Sequence, residues 1–341
     1  MNTRVEPLEE IIEPDRPIID PHHHLRDRPG DHYMFEDLRQ DLGSGHRIIA
    51  TVAIECGDMH RATGPQALRP VGETEFLAGV AAMFDSGKYG PVAGVAGIVA
   101  YADLTLGTGL QAVLDAHRAA SGGRLRGIRN PVAWHEHAEF RVTRTGPAGI
   151  LHDPRFRGGV AVLGNNGLCL DAWVYHPQLP DLLDVARACP QTTIVLNHLG
   201  GPLGAGPYRT QREQVYAEWR ASLRELAGCP NVVCKLGGLG MPVIGLGFNT
   251  AAQRPTSPVL ADAFRPYIET AIDIFGADRC MFESNFPPDG VSNGCAVMWN
   301  AFKRIVRDYG EAEKTALFLG TAASVYRLRD LPGQTQKESQ Q

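Results

Sequence analysis

Ile18-Ile19-Asp20-Pro21-His22-His23-His24-Leu25 is the stretch that decides the fold. A β-branched pair leads into three imidazoles, which reads as a buried strand delivering polar side chains at its C-terminal end. The apolar run at 17–22 is followed by seven more, at 47–55, 92–101, 125–130, 167–175, 192–198, 231–236 and 279–284. Between them lie helical amphipathic patterns, including 72–87, 110–120, 179–190, 212–228, 257–276 and 296–310. Alternating strand and helix predicts an α/β chain with a parallel sheet, and eight units close a (β/α)8 TIM barrel. The chain has 341 residues against about 250 for a typical barrel, so one domain, distorted by loop insertions, is expected. Its bounds read as a loose N-terminal arm at 1–15, the barrel at 16–330 and a polar, frayed tail at 331–341. A Gly/Pro-rich excursion at 237–258 reads as a lid over one face or a surface for a second copy in a homo-oligomer.

Composition narrows the function classes. Apolar residues make up 43% of the chain, which excludes general disorder. Lys+Arg 33 against Asp+Glu 38 leaves a formal charge of −5 with no basic stripe, so nucleic acid is not an expected partner. No apolar run approaches the roughly 18 residues of a membrane helix, and MNTRVEPLEEIIEP lacks a signal-type apolar segment, so a cytoplasmic protein is expected. The seven cysteines are never spaced C-x-x-C. That argues against a disulfide framework or a thiolate zinc knuckle and leaves any metal to histidines and carboxylates.

In a barrel the working residues gather at the strand C-termini. A period of two turns His22 and His24 to one side and His23 away, with Asp20 placed to orient an imidazole. Two neutral imidazoles so spaced suit one divalent ion, and His198, ending the sixth strand, adds a third. Arg129 ends the fourth strand and can grip a substrate carboxylate with its fork, or pair with a barrel carboxylate. Lys235 ends the seventh and is read the same way. Glu55, Tyr33 and His32 are candidates for the pocket wall. His135 and His137 have a chelating spacing but follow the fourth strand by several residues, and His176 sits in a His-Pro turn, so all three read as loop residues.

The runs IIDPHHHL, GIRN, DAWVYHPQLPDLLDVARACPQTTIVLNHLGGP, VVCKLGGL and CMFESNFPPD together resemble the amidohydrolase-related barrel family. They are most similar to its branch of sugar lactonases, 2-pyrone-4,6-dicarboxylate lactonase and sulfomuconolactone hydrolase. The resemblance implies a site built on His22, His24 and His198 around a metal or, in some lactonases, only a water. It breaks at the eighth strand, where the familiar Gly-Ser-Asp-Trp-Pro is Glu283-Ser284-Asn285-Phe286-Pro287. An asparagine cannot act as a general base near neutral pH. Glu283, two residues earlier, would share the inward face and supply the missing charge as metal ligand or base, or else form a buried ion pair with Arg129 or Lys235.

The expected activity is hydrolysis of a small carboxylated lactone by a water held among His22, His24, His198, Glu283 and Asn285. Arg129, Lys235, Glu55 and Tyr33 would contact the substrate. One divalent ion, zinc before manganese, is expected at His22, His24, His198 and Glu283, with a metal-free site as the alternative. Two rival functions are a metal-dependent non-oxidative decarboxylase and a small-ligand-binding barrel that has lost catalysis.

Overall fold

Strands buried on both faces organise the computed structural model, which describes residues 7–141, 145–329 and 331–332. The strands β1 (Ile18–His23), β2 (Ile48–Ile54), β3 (Ala93–Ala100), β4 (Leu125–Ile128), β5 (Cys169–Ala172), β6 (Ile194–Leu196), β7 (Val232–Leu236) and β8 (Cys280–Phe282) pair in parallel in chain order. Each is followed by a helix: α1 (Phe35–Leu42), α2 (Val71–Asp85), α3 (Leu110–Ala120), α4 (Pro154–Asn165), α5 (Leu179–Ala188), α6 (Arg212–Ala227), α7 (Ser257–Phe275) and α8 (Cys295–Ile305). This is the (β/α)8 barrel that the alternating pattern predicts. A short antiparallel hairpin, Arg26–Arg28 with Asp31–Tyr33, is inserted after β1.

Two helices escape a sequence reading for identifiable reasons. α1 is short and mostly polar, whereas α4 carries Gly158, Gly159 and Gly164, residues that weaken helices. Packing requires two of those glycines: a Cβ on Gly159 would stand 2.1 Å from the Leu104 carbonyl oxygen, and one on Gly164 would stand 2.6 Å from Thr192 Oγ1.

The barrel closes where β8 meets β1. His23 and Phe286 form a parallel bridge, Asn285 N–H donates to the His22 carbonyl at 2.9 Å, and His24 N–H donates to the Phe286 carbonyl at 2.8 Å. Asp20 stitches the same seam, its Oδ1 accepting from Ser284 N at 2.9 Å and from His22 N at 3.2 Å. Asp20 therefore binds backbone amides rather than the imidazole expected of it. Burial pushes its carboxyl up to about 6, although the amide bonds favour the charged form.

Outward residues such as Leu170, Leu196, Val232 and Phe282 pack against the helices. Inward ones, including Ile19, Val52, Val195, Val233 and Met281, stack on a floor of Ala322, Tyr326, Leu328 and Leu331. Further along β5, β7 and β8 the inward positions become Asp171, Lys235 and Glu283, so charged groups stand above the apolar floor.

The segment read as a loose arm is tied down where it is described. Glu9 accepts from Ser257 N and Asn300 Nδ2, and the Lys303 ammonium donates to the Ile12 and Glu13 carbonyls. Residues 1–6, and 333–341 of the expected tail, lie outside the described residues, while Leu331 packs into the floor. Among the described residues no helix is long and apolar enough to cross a membrane.

Burial gives the fold a pH dependence. Desolvation lowers His23 to about 3 and His46, His117 and His176 to about 4. The unfolded chain takes up these protons below about pH 6.5 and the folded chain does not, so stability present above 6.5 is lost on the way to pH 4. Asp20 and Asp289, the latter raised to about 8, act in the opposite sense but are fewer. The urea midpoint should therefore fall between pH 7 and pH 5, with on the order of 2 kcal/mol lost per such histidine before that offset. An equal or higher midpoint at pH 5 would contradict this.

Candidate active site

The end of β1 places His22 and His24 side by side, their rings 4.9 Å apart and nearly perpendicular, with Nε2 atoms at 3.2 Å. His24 Nδ1 is bonded to the Ile54 carbonyl at the end of β2, at 2.9 Å. His23 points the other way, to Thr51 Oγ1 at 2.9 Å.

His198 follows β6 in a left-handed turn, φ 55°, its ring 4.5 Å from that of His22 and edge-on to Trp173 at 4.8 Å. Its Nδ1 lies 2.7 Å from Glu283 Oε1, which also accepts its backbone N–H at 3.1 Å. Glu283 is fully buried. Neither Arg129 nor Lys235 is its close partner: it addresses His198 and lies with Oε2 2.9 Å from His22 Nδ1. Burial holds His22, His24 and His198 below the usual imidazole range, and for His198 the Glu283 carboxylate partly opposes that. All three are neutral at neutral pH.

The glycines after β7 make room for this pair. A Cβ on Gly237 would stand 2.4 Å from Glu283 Cγ, and one on Gly238 2.4 Å from His198 Cβ, where φ is also +72°. Across the mouth, Asn285 has φ 51° and donates through Nδ2 to Asp289 Oδ1 at 2.8 Å. Asp289 Oδ2 accepts in turn from Gly240 N at 3.0 Å.

Arg129 combines both expected readings. Its Nε donates to Glu55 Oε1 at 2.8 Å and its Nη2 to the Glu55 carbonyl, while the residue still lines the cavity. The cavity encloses about 540 Å³, with His24, Glu55, Arg129, Trp173, His198 and Asn285 in its wall. Arg26 and Arg28 from the hairpin, and Arg141, also line it, Arg26 paired with Asp31 at 2.7 Å and Arg28 with Asp58 at 3.4 Å. Met241, Pro242 and Val243 bring the 237–258 excursion into the same wall.

Two expected substrate contacts lie elsewhere. Lys235 is fully buried, its ammonium 2.7 Å from Asp171 Oδ1 and 3.1 Å from His22 Nδ1. It pairs in register with Met281, two residues before Glu283, and so sits a layer below the mouth. Tyr33 packs in the outer core and donates to Asp41 at 2.6 Å. Among the loop histidines, His135 bonds to Tyr208 at 3.0 Å and accepts from His137 N, and His176 accepts from Leu203 N at 3.2 Å. His32 is exposed and bonded to Asp27. Sequence reasoning missed Asp171, Trp173, Asp289 and the three rim arginines. Asp171 and Trp173 follow Cys169 at a spacing of two, the one signal that would have found them.

His22, His198 and Glu283 bring donor atoms within 4.8 Å of one another, a group that could hold a metal ion. The amidohydrolase family model matches residues 19–328. The protein y4mH of Sinorhizobium fredii is 32% identical over 336 residues, covering 92% of this chain and 99% of its own. L-fucono-1,5-lactonase of Burkholderia multivorans is 32% identical over 213 residues, 61% of this chain and 64% of that one. A Burkholderia multivorans amidohydrolase structure with bound HEPES is similar with a TM-score of 0.70 at 26% identity, covering 92% of this chain and 100% of that one. A second crystal form, with bound zinc, gives 0.68 at 27%, with the same coverage.

The glycine cradle predicts a contrast. Gly238→Ala forces His198 off Glu283 as well as straining φ, and should reduce turnover at least 100-fold. Gly247→Ala, at φ +80° with open space around it, should cost only the backbone strain of about 1–2 kcal/mol. Thermal melts and rates on both proteins check this, and equal effects would dismiss the cradle.

Proposed function

The chain belongs to the amidohydrolase family, and from that premise we propose that it is a hydrolase that opens a small carboxylated lactone, with the His198–Glu283 pair as its general base. The observation that carries this reading is the buried 2.7 Å contact between His198 Nδ1 and Glu283 Oε1, with His198 in the wall of the cavity. With Nδ1 directed at the carboxylate, Nε2 is the nitrogen left to the cavity, in the neutral form a base requires. The 32% identity to a lactonase supports the cyclic-ester class.

Water beside His198 Nε2 gives up a proton as its oxygen attacks the lactone carbonyl, and Glu283 stabilises the imidazolium. Arg129, held by Glu55, meets the negative charge that develops on the carbonyl oxygen. The ring C–O bond then breaks, and the departing alkoxide takes the proton back from the imidazolium, giving a hydroxy acid. Because Asn285 Nδ2 is turned to Asp289, its amide oxygen is the end available to hold the water. Arg26, Arg28 and Arg141 supply the charge for a substrate carboxylate.

Assays on a panel of carboxylated sugar lactones and pyrone lactones test this. His198→Ala should lower kcat/KM by at least 10³-fold and Glu283→Gln by about 10²-fold, in the range of general-base losses. In the wild type the acid limb should lie below the ordinary imidazole pKa of about 6.5. Removing the carboxylate that favours the imidazolium should move that limb to still lower pH in Glu283→Gln. Unchanged turnover in Glu283→Gln would remove the pair from the mechanism.

A further inference from the structure

His22 and His24 have the spacing of a chelating pair, and their 3.2 Å Nε2 separation suits two quite different states. Two nitrogens bound about 2.0–2.1 Å from one tetrahedral ion stand roughly 3.4 Å apart. Two imidazoles sharing a proton stand almost as close. The far nitrogen of each ring decides between these states.

His24 Nδ1 faces the Ile54 carbonyl, an acceptor only, so it carries the proton and Nε2 carries the lone pair. His22 Nδ1 faces the Lys235 ammonium at 3.1 Å, a donor only, so the proton of this neutral ring belongs on Nε2. His22 Nε2–H then points at the lone pair of His24. The result is a hydrogen-bond chain with one direction, from Lys235 through His22 and His24 to Ile54. Lys235 is itself fixed by its ion pair with Asp171, which Tyr326 and Asn197 also hold.

Two other neighbours of His22 bear on this assignment. Glu283 Oε2 is 2.9 Å from Nδ1 yet makes no hydrogen bond there. Arg129 Nη1 lies 3.5 Å from Nε2, too far for a strong bond, and acts there as a second positive charge. A divalent ion at Nε2 would meet that guanidinium, an Nε2 proton, and at position 285 an amide instead of a carboxylate. The His22–His24 pair as wired does not fit such an ion, and on the other edge of His22, where Glu283 and His198 complete a possible metal group, the Lys235 ammonium already stands 3.1 Å from Nδ1.

We propose that Lys235 sets the direction of hydrogen bonding through His22 and His24 and thereby withholds both imidazoles from a metal ion. Lys235 is a positioning residue, and the His-x-His pair is a strut that orients the cavity wall. This stands apart from the lactone assignment, since failure of every lactone assayed would leave the tautomers unchanged.

Two-bond ¹H–¹⁵N correlation spectra of the wild-type protein read those tautomers directly. The expected result is His22 protonated on Nε2 and His24 on Nδ1. Competition of zinc against a chromophoric chelator gives the second readout. Wild type should bind more weakly than 10 µM at the pair, and Lys235→Met should bind at least tenfold tighter, with Asp171 keeping Tyr326 and Asn197 as donors. Adding Asn285→Asp should tighten it again, and His22→Ala in that background should abolish the gain. If Lys235→Met does not fold, the wild-type spectra and zinc titration still decide. A His22 ring protonated on Nδ1, or one equivalent of zinc held tightly by the wild type through His22, would overturn the proposal.

Discussion

The Asp171 carboxylate is the point from which the interior is organised. It is fully buried, in a place where an ionised group persists only if paired and hydrogen-bonded. Lys235 from β7 supplies the charge, Asn197 beyond β6 and Tyr326 from the floor supply hydrogen bonds, and Cys169 adds a weak contact. Such an assembly is a poor source of net stability, because desolvation consumes most of the Coulombic gain. Its contribution is geometric. Removing one partner strands the others at a cost of roughly 3–5 kcal/mol, so β5, β7 and the C-terminal segment are held in one arrangement, and His22 stands directly above it.

The mouth repeats that logic with different groups. Four polar side chains facing the cavity are each oriented by a partner: His198 by Glu283, Arg129 by Glu55, Asn285 by Asp289 and His24 by the Ile54 carbonyl. Low exposure keeps the imidazoles neutral and the carboxylates costly to place, so the orienting groups act at close to full strength. The glycines at 237 and 238 allow this double layer to exist in a barrel of ordinary width.

Much of this is legible in the chain because buried strands betray themselves as short β-branched apolar runs and polar residues betray strand ends. His22, His24, His198, Arg129 and Asn285 were found in that way. Lys235 was misplaced since a strand's final residue cannot be told from its penultimate one in an apolar run, and one residue is the difference between mouth and interior. Asp171 was hidden for a related reason: a single charge inside LCLDAW carries no mark of the cation 64 residues away that neutralises it. Tyr33 reads as a wall residue because it lies in the loop after the first strand, whereas its ring packs into the outer core with its hydroxyl on Asp41. The pairing of Glu283 with His198 depended on a close approach that only Gly237 and Gly238 permit.

Tyr326 gives the chain a temporal order. Its hydroxyl meets Asp171 across 155 residues, and Ser284 meets Asp20 across 264. Contacts this distant are the slowest to form, since the loop between them must close first. A nascent polypeptide leaving the ribosome with β1 to β7 already assembled has no floor under Lys235 and no Glu283 behind His198. The site is therefore complete only after β8 and the segment through Tyr326 have joined the earlier strands.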